Sequence, residues 1–89
     1  MISRAERRAG RRPRVAAVFG PESVEAALDL LETMEIAWHD LYGEISPSES
    51  IIDDVLESSD GDITALIRFV RLALADSRDL KIAVERRRG

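Results

Sequence analysis

The chain has 89 residues, of which 45% are hydrophobic and only four are aromatic, and its formal net charge is −4. This length provides one domain, and a core of Leu, Ile, Val and Ala is typical of a helical bundle. Cysteine is absent, which excludes a disulfide framework and a thiolate metal site, and no apolar run approaches the roughly 20 residues that span a bilayer. We therefore expect a cytoplasmic protein without membrane contact.

The charges form three blocks along the chain. Residues 1–14 contain six arginines and one glutamate, residues 15–67 contain thirteen acidic residues and no lysine or arginine, and residues 68–89 contain seven basic and three acidic residues. The acidic block must be matched by the two basic ends, by solvent ions or by a basic partner. Within one chain, we expect Arg68, Arg71 and Arg78 to lie beside the acidic first helix.

Residues 1–20 are predicted to be a flexible basic arm, and residues 21–89 the helical domain. The apolar run 15–19 that follows the arginines has only five residues, which is too short for the apolar region of a signal peptide. The arm is therefore interpreted as a solvated segment and not as an export signal.

The first predicted helix covers residues 21–42. Pro21 suits a first helical position, and Gly43 is a typical C-terminal stop. Apolar residues recur at alternating spacings of three and four, which indicates an amphipathic helix. They are Val24, Ala27, Leu31, Met34, Trp38, Leu41 and Ile45.

Two more helices are predicted after Gly43. Ser46 and Glu49 form the pattern of a capping box, with Pro47 at the first helical position, and this short helix ends at residues 58–61. Asp60 or Asp62 caps the last helix, whose apolar residues are Ile63, Leu66, Ile67, Val70, Ala73, Leu74, Leu80 and Val84. The predicted fold is an all-α, antiparallel three-helix bundle in the order long, short, long, with a basic N-terminal arm.

The last helix has a broad apolar arc, because Phe69, Leu72 and Ala83 lie beside its main stripe. An isologous homodimer would cover this arc. The predicted interface residues are Trp38, Arg68, Phe69, Arg71 and Leu72. In the alternative, residues 15–19 fold back over the arc and the protein is a monomer.

Few residues suggest catalysis or metal binding. His39 is the only histidine and follows Glu35 by one helical turn, but zinc usually takes three or four protein ligands. The segment 59–63 resembles part of a calcium loop, yet the two anchoring positions are Leu56 and Ile67. We expect no catalytic residue, no metal site and no cofactor.

One pattern suggests an enzyme instead. Glu32 and Glu35, followed by Glu57 and Asp60, form a sequence that is similar to the E-x-x-E…E-x-x-D pattern of all-alpha nucleoside triphosphate pyrophosphohydrolases. The resemblance implies a small helical oligomer that holds Mg²⁺ between these four carboxylates and hydrolyses a nucleoside triphosphate. This enzyme is one alternative function.

The function favoured by the sequence is protein interaction. A small accessory or regulatory module needs only a rigid surface, and an acidic face could bind a protein partner or a second copy of the chain. A second alternative is nucleic-acid binding through the arginines of residues 1–14 and 86–88, which could contact phosphates. The folded part is strongly acidic and no aromatics alternate with these arginines, so nucleic acid is not favoured.

Overall fold

The structure, a computed structural model, describes residues 2–75. These residues form four α-helices: α1 (Arg4–Val18), α2 (Val24–Tyr42), α3 (Glu49–Ser59) and α4 (Ile63–Ala75). The predicted all-α class is confirmed, and the predicted number of three helices is wrong, because the segment expected to be a flexible arm forms α1. Predictions for Arg78, Leu80, Ala83, Val84 and residues 86–88 lie outside the described residues.

Helix α1 begins with a complete capping box. The hydroxyl of Ser3 accepts from the backbone N–H of Glu6 at 3.1 Å, and the Glu6 carboxylate accepts from the N–H of Ser3 at 3.3 Å. These two bonds satisfy N–H groups that a helix start leaves without partners. Gly10 and Pro13 both lie inside the helix, so its local sequence favours the helix less than its length suggests.

Helix α2 begins three residues later than predicted, since residues 21–23 form a turn. It ends as predicted at Gly43, whose φ of 72° is left-handed and whose N–H donates to the carbonyl of His39. The apolar residues of the predicted stripe are buried from Val24 to Trp38. The last two residues of that stripe, Leu41 and Ile45, are exposed instead.

The cap of α3 differs from the prediction. Ser48, two residues after Ser46, is the N-cap, and its hydroxyl accepts from the N–H of Ile51 at 3.3 Å. The hydroxyl of Ser46 accepts a hydrogen bond from Arg11 instead, so this side chain is not free to cap the helix. Asp62 caps α4, as one of the two predicted options, by accepting from the N–H of Thr64 at 2.8 Å.

All four helices contribute to one hydrophobic core. Helix α1 adds Val15 and Phe19, which are buried against the other helices. Helix α2 packs between α1 and α4, and α3 packs mainly on α4. The remaining buried core residues are Val24, Ala27, Leu28, Leu31, Met34, Trp38, Ile51, Ile52, Val55, Leu56, Leu66, Val70 and Ala73. Within residues 2–75, no helix has both the length and the apolar character needed to cross a membrane.

Candidate functional site

A buried carboxylate on α2 is the centre of the candidate site. Glu35 is only 1% exposed, because it lies on the helix face that also buries Leu31 and Trp38. Arg7 donates to both of its oxygens, from Nε to Oε1 at 2.8 Å and from Nη2 to Oε2 at 3.1 Å. This is the two-bond geometry in which a guanidinium binds a carboxylate most strongly.

Arg11 is the second arginine on Glu35 and is itself 2% exposed. Its Nη1 donates to Glu35 Oε1 at 2.5 Å, and its Nη2 donates to the hydroxyl of Ser46 at 2.9 Å and to Glu49 at 3.4 Å. One side chain therefore joins α1 to α2 and to the start of α3. Its Nε is buried and has no hydrogen-bond acceptor among the described residues.

More exposed ion pairs surround this buried pair. Arg8 donates to Glu25 at 2.7 Å and to Asp29 at 2.8 Å, and it lies 3.3 Å from Glu32. Arg12 also binds Glu25, at 2.5 Å. Glu25, Asp29, Glu32 and Glu35 follow one another along α2 at spacings of four and three, so they share one side of the helix. We call these four residues the carboxylate face.

Arg14 extends the ion pairs to α3. Its guanidinium contacts Glu49 at 3.0 Å and Asp53 at 2.7 Å. Arginines from the N-terminal end of the chain thus pair with six acids of the acidic block, which are Glu25, Asp29, Glu32, Glu35, Glu49 and Asp53. Helix α4 packs on α2 as expected, but among the described residues the acids of α2 pair with arginines of α1, and no ion pair involves Arg68 or Arg71.

The arginines change the ionisation of the carboxylates they contact. Burial alone raises the pKa of Glu35, but hydrogen bonds from Arg7 and Arg11 outweigh it and hold the pKa below its ordinary value. Hydrogen bonds from Arg12 and Arg8 lower the pKa of Glu25 to about 2. Both carboxylates are therefore ionised at neutral pH and bind the positive charges of α1.

The predicted interface residues lie in different environments. Trp38 is buried in the core, where its Nε1 donates to Glu44 at 3.1 Å. Phe69 and Leu72 are half-buried and pack against the core, whereas Arg68 and Arg71 are exposed on α4. The structure brings Arg68 onto Phe69, with the guanidinium 5.7 Å from the ring centroid. Whether these residues form an interface stays a prediction.

The residues considered for metal chemistry have other contacts. Glu35 binds arginines, and the His39 Nδ1 lies 3.3 Å from the carbonyl oxygen of Glu44. Among residues 2–75, no group of three or more His, Cys, Asp and Glu side chains could hold a metal ion. Arginine pairing at Glu35 also differs from the magnesium ligation that the pyrophosphohydrolase resemblance implies for that residue.

An open cleft of about 310 Å³ lies where α1 ends and α2 begins. Its lining is mainly apolar and includes Phe19, Pro21 and Val24, with Arg12 and Glu25 also lining it. These two charged groups form an ion pair with one another, so the charged side chains that line the cleft are already paired. No protein-family model, curated protein or solved structure matches the chain significantly.

The lowered carboxyl pKa values predict a loss of stability in acid. Because the pKa values of Glu25 and Glu35 are lower in the folded than in the unfolded chain, the unfolded chain binds more protons as the pH falls. The stabilisation is complete above the ordinary carboxyl pKa of 4.5 and is lost towards the folded value, about 2 for Glu25. The free energy of unfolding, measured by urea denaturation, should fall over this range, and a constant value would contradict the ion pairs.

Proposed function

We propose that the protein is a helical interaction module that associates with a second copy of itself. The supporting observation is an exposed apolar cluster at the C-terminal end of α2. Leu41 is 60% exposed, Ile45 is 50% exposed and Tyr42 is 45% exposed. Burial of apolar surface contributes about 25 cal/mol per Å², so three such side chains at one helix end favour association.

The end of α4 lies beside Tyr42, and the same helix carries two exposed arginines, Arg68 and Arg71. The Tyr42 hydroxyl donates to the carbonyl of Leu74 at 2.9 Å, which joins the ends of α2 and α4. In the part of the chain that is described, no ion pair involves Arg68 or Arg71. Asp40 is exposed next to Leu41. In a two-fold dimer these arginines could face Asp40 of the other copy.

The predicted interface fits this arrangement with one change of role. Arg68, Phe69, Arg71 and Leu72 lie on α4 and can contact the second copy directly. Trp38 lies beneath the surface and packs against Tyr42, with ring centroids 4.4 Å apart and ring planes tilted by 49°, so its role is to position Tyr42. A nucleic acid is a weaker candidate partner, because each phosphate that binds α1 would have to replace a carboxylate of the same chain.

Replacing Leu41 by glutamate tests the proposed dimer. The wild-type chain should sediment at twice its 9.9 kDa mass at tens of micromolar, and Leu41→Glu should sediment at the monomer mass because a charge cannot be buried without a partner. The substitution site is exposed, so the fold should be retained.

Ile36→Glu is the matched control for this experiment. Ile36 is 47% exposed, but it precedes Leu41 by five residues and therefore points about 140° away from it around α2. This variant should remain a dimer. A monomeric wild-type chain, or a dimer unaffected by Leu41→Glu, would contradict the proposal.

A further inference from the structure

We propose that the carboxylate face of α2 binds an arginine-rich helix of another protein, and that residues 4–12 of α1 compete with it from within the chain. This inference goes beyond self-association and does not rest on it. We call residues 4–12 the arginine segment.

The arginine segment is attached to the rest of the protein mainly by charge. The two α1-side residues that enter the hydrophobic core are Val15 and Phe19, and both follow this segment. The apolar residues within it, Ala5 and Ala9, are exposed. Its described contacts with α2 are the ion pairs of Arg4, Arg7, Arg8, Arg11 and Arg12, and Arg11 also contacts Ser46 and Glu49 at the start of α3. The segment can therefore separate from α2 while Val15 and Phe19 stay buried.

Helix α1 is weakened by Gly10 and Pro13, which lie close to the boundary between the arginine segment and the part of the helix that contains buried Val15. Glycine inside a helix is less favourable than alanine, because it loses more backbone conformational freedom. Proline lacks the N–H that would bond to the carbonyl of Ala9 four residues earlier. A Cβ added at Gly10 would meet no atom within 4 Å, so packing does not require glycine there. Local opening of the arginine segment is thus easier than opening of a regular helix.

Once the arginine segment has separated from α2, the carboxylate face would bind arginine in preference to other residues. Arg7 binds both oxygens of Glu35, and Arg8 spans Glu25 and Asp29. Such forked contacts need the planar guanidinium, which lysine lacks. Buried Glu35 cannot stay unpaired at low cost, so whatever replaces Arg7 and Arg11 must also be cationic. A partner helix with arginines at spacings of three and four meets both requirements.

The chain's own segment also leaves one polar group unsatisfied. Arg11 is almost fully buried and binds Glu35, yet its Nε has no acceptor among the described residues. A buried donor without an acceptor weakens the contact that it belongs to. The internal occupant therefore buries one donor without an acceptor, a cost that a helix from another protein need not carry.

Peptide binding to full-length variants tests the proposal. The probe is a fluorescein-labelled peptide with the sequence of residues 1–12, carrying alanine in place of Gly10, and binding is measured by fluorescence anisotropy. All proteins carry Leu41→Glu, so that self-association through the apolar cluster does not interfere. A competing segment reduces the apparent affinity in proportion to the fraction of open molecules.

Two protein variants change the fraction of molecules with an open arginine segment in opposite directions. Gly10→Ala strengthens α1 without changing a charge and should weaken peptide binding about fivefold. Arg8→Ala with Arg12→Ala removes exposed ion pairs from the segment and should tighten binding about five- to tenfold. A control peptide with lysine at each arginine should bind at least about tenfold more weakly.

Three binding results would overturn the proposal. These are absence of peptide binding to the Arg8→Ala, Arg12→Ala variant, equal affinity of all three proteins, or equal binding of the lysine peptide. If the Arg8→Ala, Arg12→Ala variant sediments as a dimer in the absence of peptide, the carboxylate face binds α1 of a second copy. This result also overturns the proposal that the partner is a different protein. Gly10→Ala fills open space and keeps the native charges, so its result cannot be attributed to failed folding.

Discussion

Replacing Glu35 by glutamine is expected to lower the free energy of unfolding by about 3–5 kcal/mol. The carboxylate is 1% exposed, accepts hydrogen bonds from Arg7 and Arg11, and lies 3.7 Å from Arg4. Removing its charge leaves the guanidinium of Arg11 buried, with the more distant Glu49 as its remaining carboxylate partner at 3.4 Å. An uncompensated buried charge costs far more than a lost surface ion pair. Urea denaturation of the variant and the wild type gives this difference directly.

Asp29→Asn is the matched control for Glu35→Gln. Asp29 also binds an arginine, at 2.8 Å, but its side chain is largely exposed, so its loss should cost about 1 kcal/mol or less. Replacing the buried pair together, by Glu35→Leu with Arg11→Met, should recover most of the lost stability because no unpaired charge remains at either position. Equal effects of Glu35→Gln and Asp29→Asn would show that burial does not strengthen the pair.

Replacing Leu66 by alanine is expected to destabilise the fold by about 2–5 kcal/mol. Leu66 is fully buried on α4 and belongs to the shared core, so the substitution leaves a cavity where its methyl groups were. For a domain of this size the melting temperature should fall by about 8 °C or more.

Ile36→Ala is the control for Leu66→Ala, because it also deletes three carbon atoms, from a half-exposed position outside the proposed dimer interface. Its effect on the free energy of unfolding should stay within about 0.5 kcal/mol. Thermal denaturation followed by circular dichroism measures both variants. A small effect at Leu66, or similar effects at the two positions, would contradict the described core.

Hydrophobic periodicity was sufficient to locate α2, α3 and α4. Leu31 and Met34 are buried where the spacing of three and four predicted them, and Gly43 ends α2 as expected. Capping residues were less certain, since Ser46 and Ser48 both precede the same helix. In the folded chain the hydroxyl of Ser46 accepts from Arg11, a residue 35 positions away, and local sequence cannot reveal this contact.

Helix α1 was missed for a physical reason. Gly10 and Pro13 lower its intrinsic helix propensity, and arginines occupy the positions where an amphipathic helix usually has apolar residues. Its stability comes from ion pairs with α2 and α3 and from the burial of Val15 and the adjoining Phe19 in the core, contacts that exist only in the folded chain. One local signal was present, because Ser3 and Glu6 have the spacing of a capping box.

The buried carboxylate also had a sequence signal. Glu35 lies four residues after Leu31 and three before Trp38, so it interrupts the apolar stripe of α2 with a charge. A charged residue on a buried face needs a partner of opposite charge. The arginines at positions 4, 7 and 11 have the matching helical spacing. Their pairing with Glu35 could have been inferred from the two patterns together.

Amide hydrogen exchange of residues 4–12 is the most direct test of the central claim that Glu35 attaches the arginine segment to the core. In the wild-type chain these amides should be protected, though less than those of α2 and α4, because the segment opens locally. In Glu35→Gln their protection should fall much more than that of residues 28–34 on α2. Unprotected amides in the wild type, or unchanged protection in Glu35→Gln, would contradict the claim.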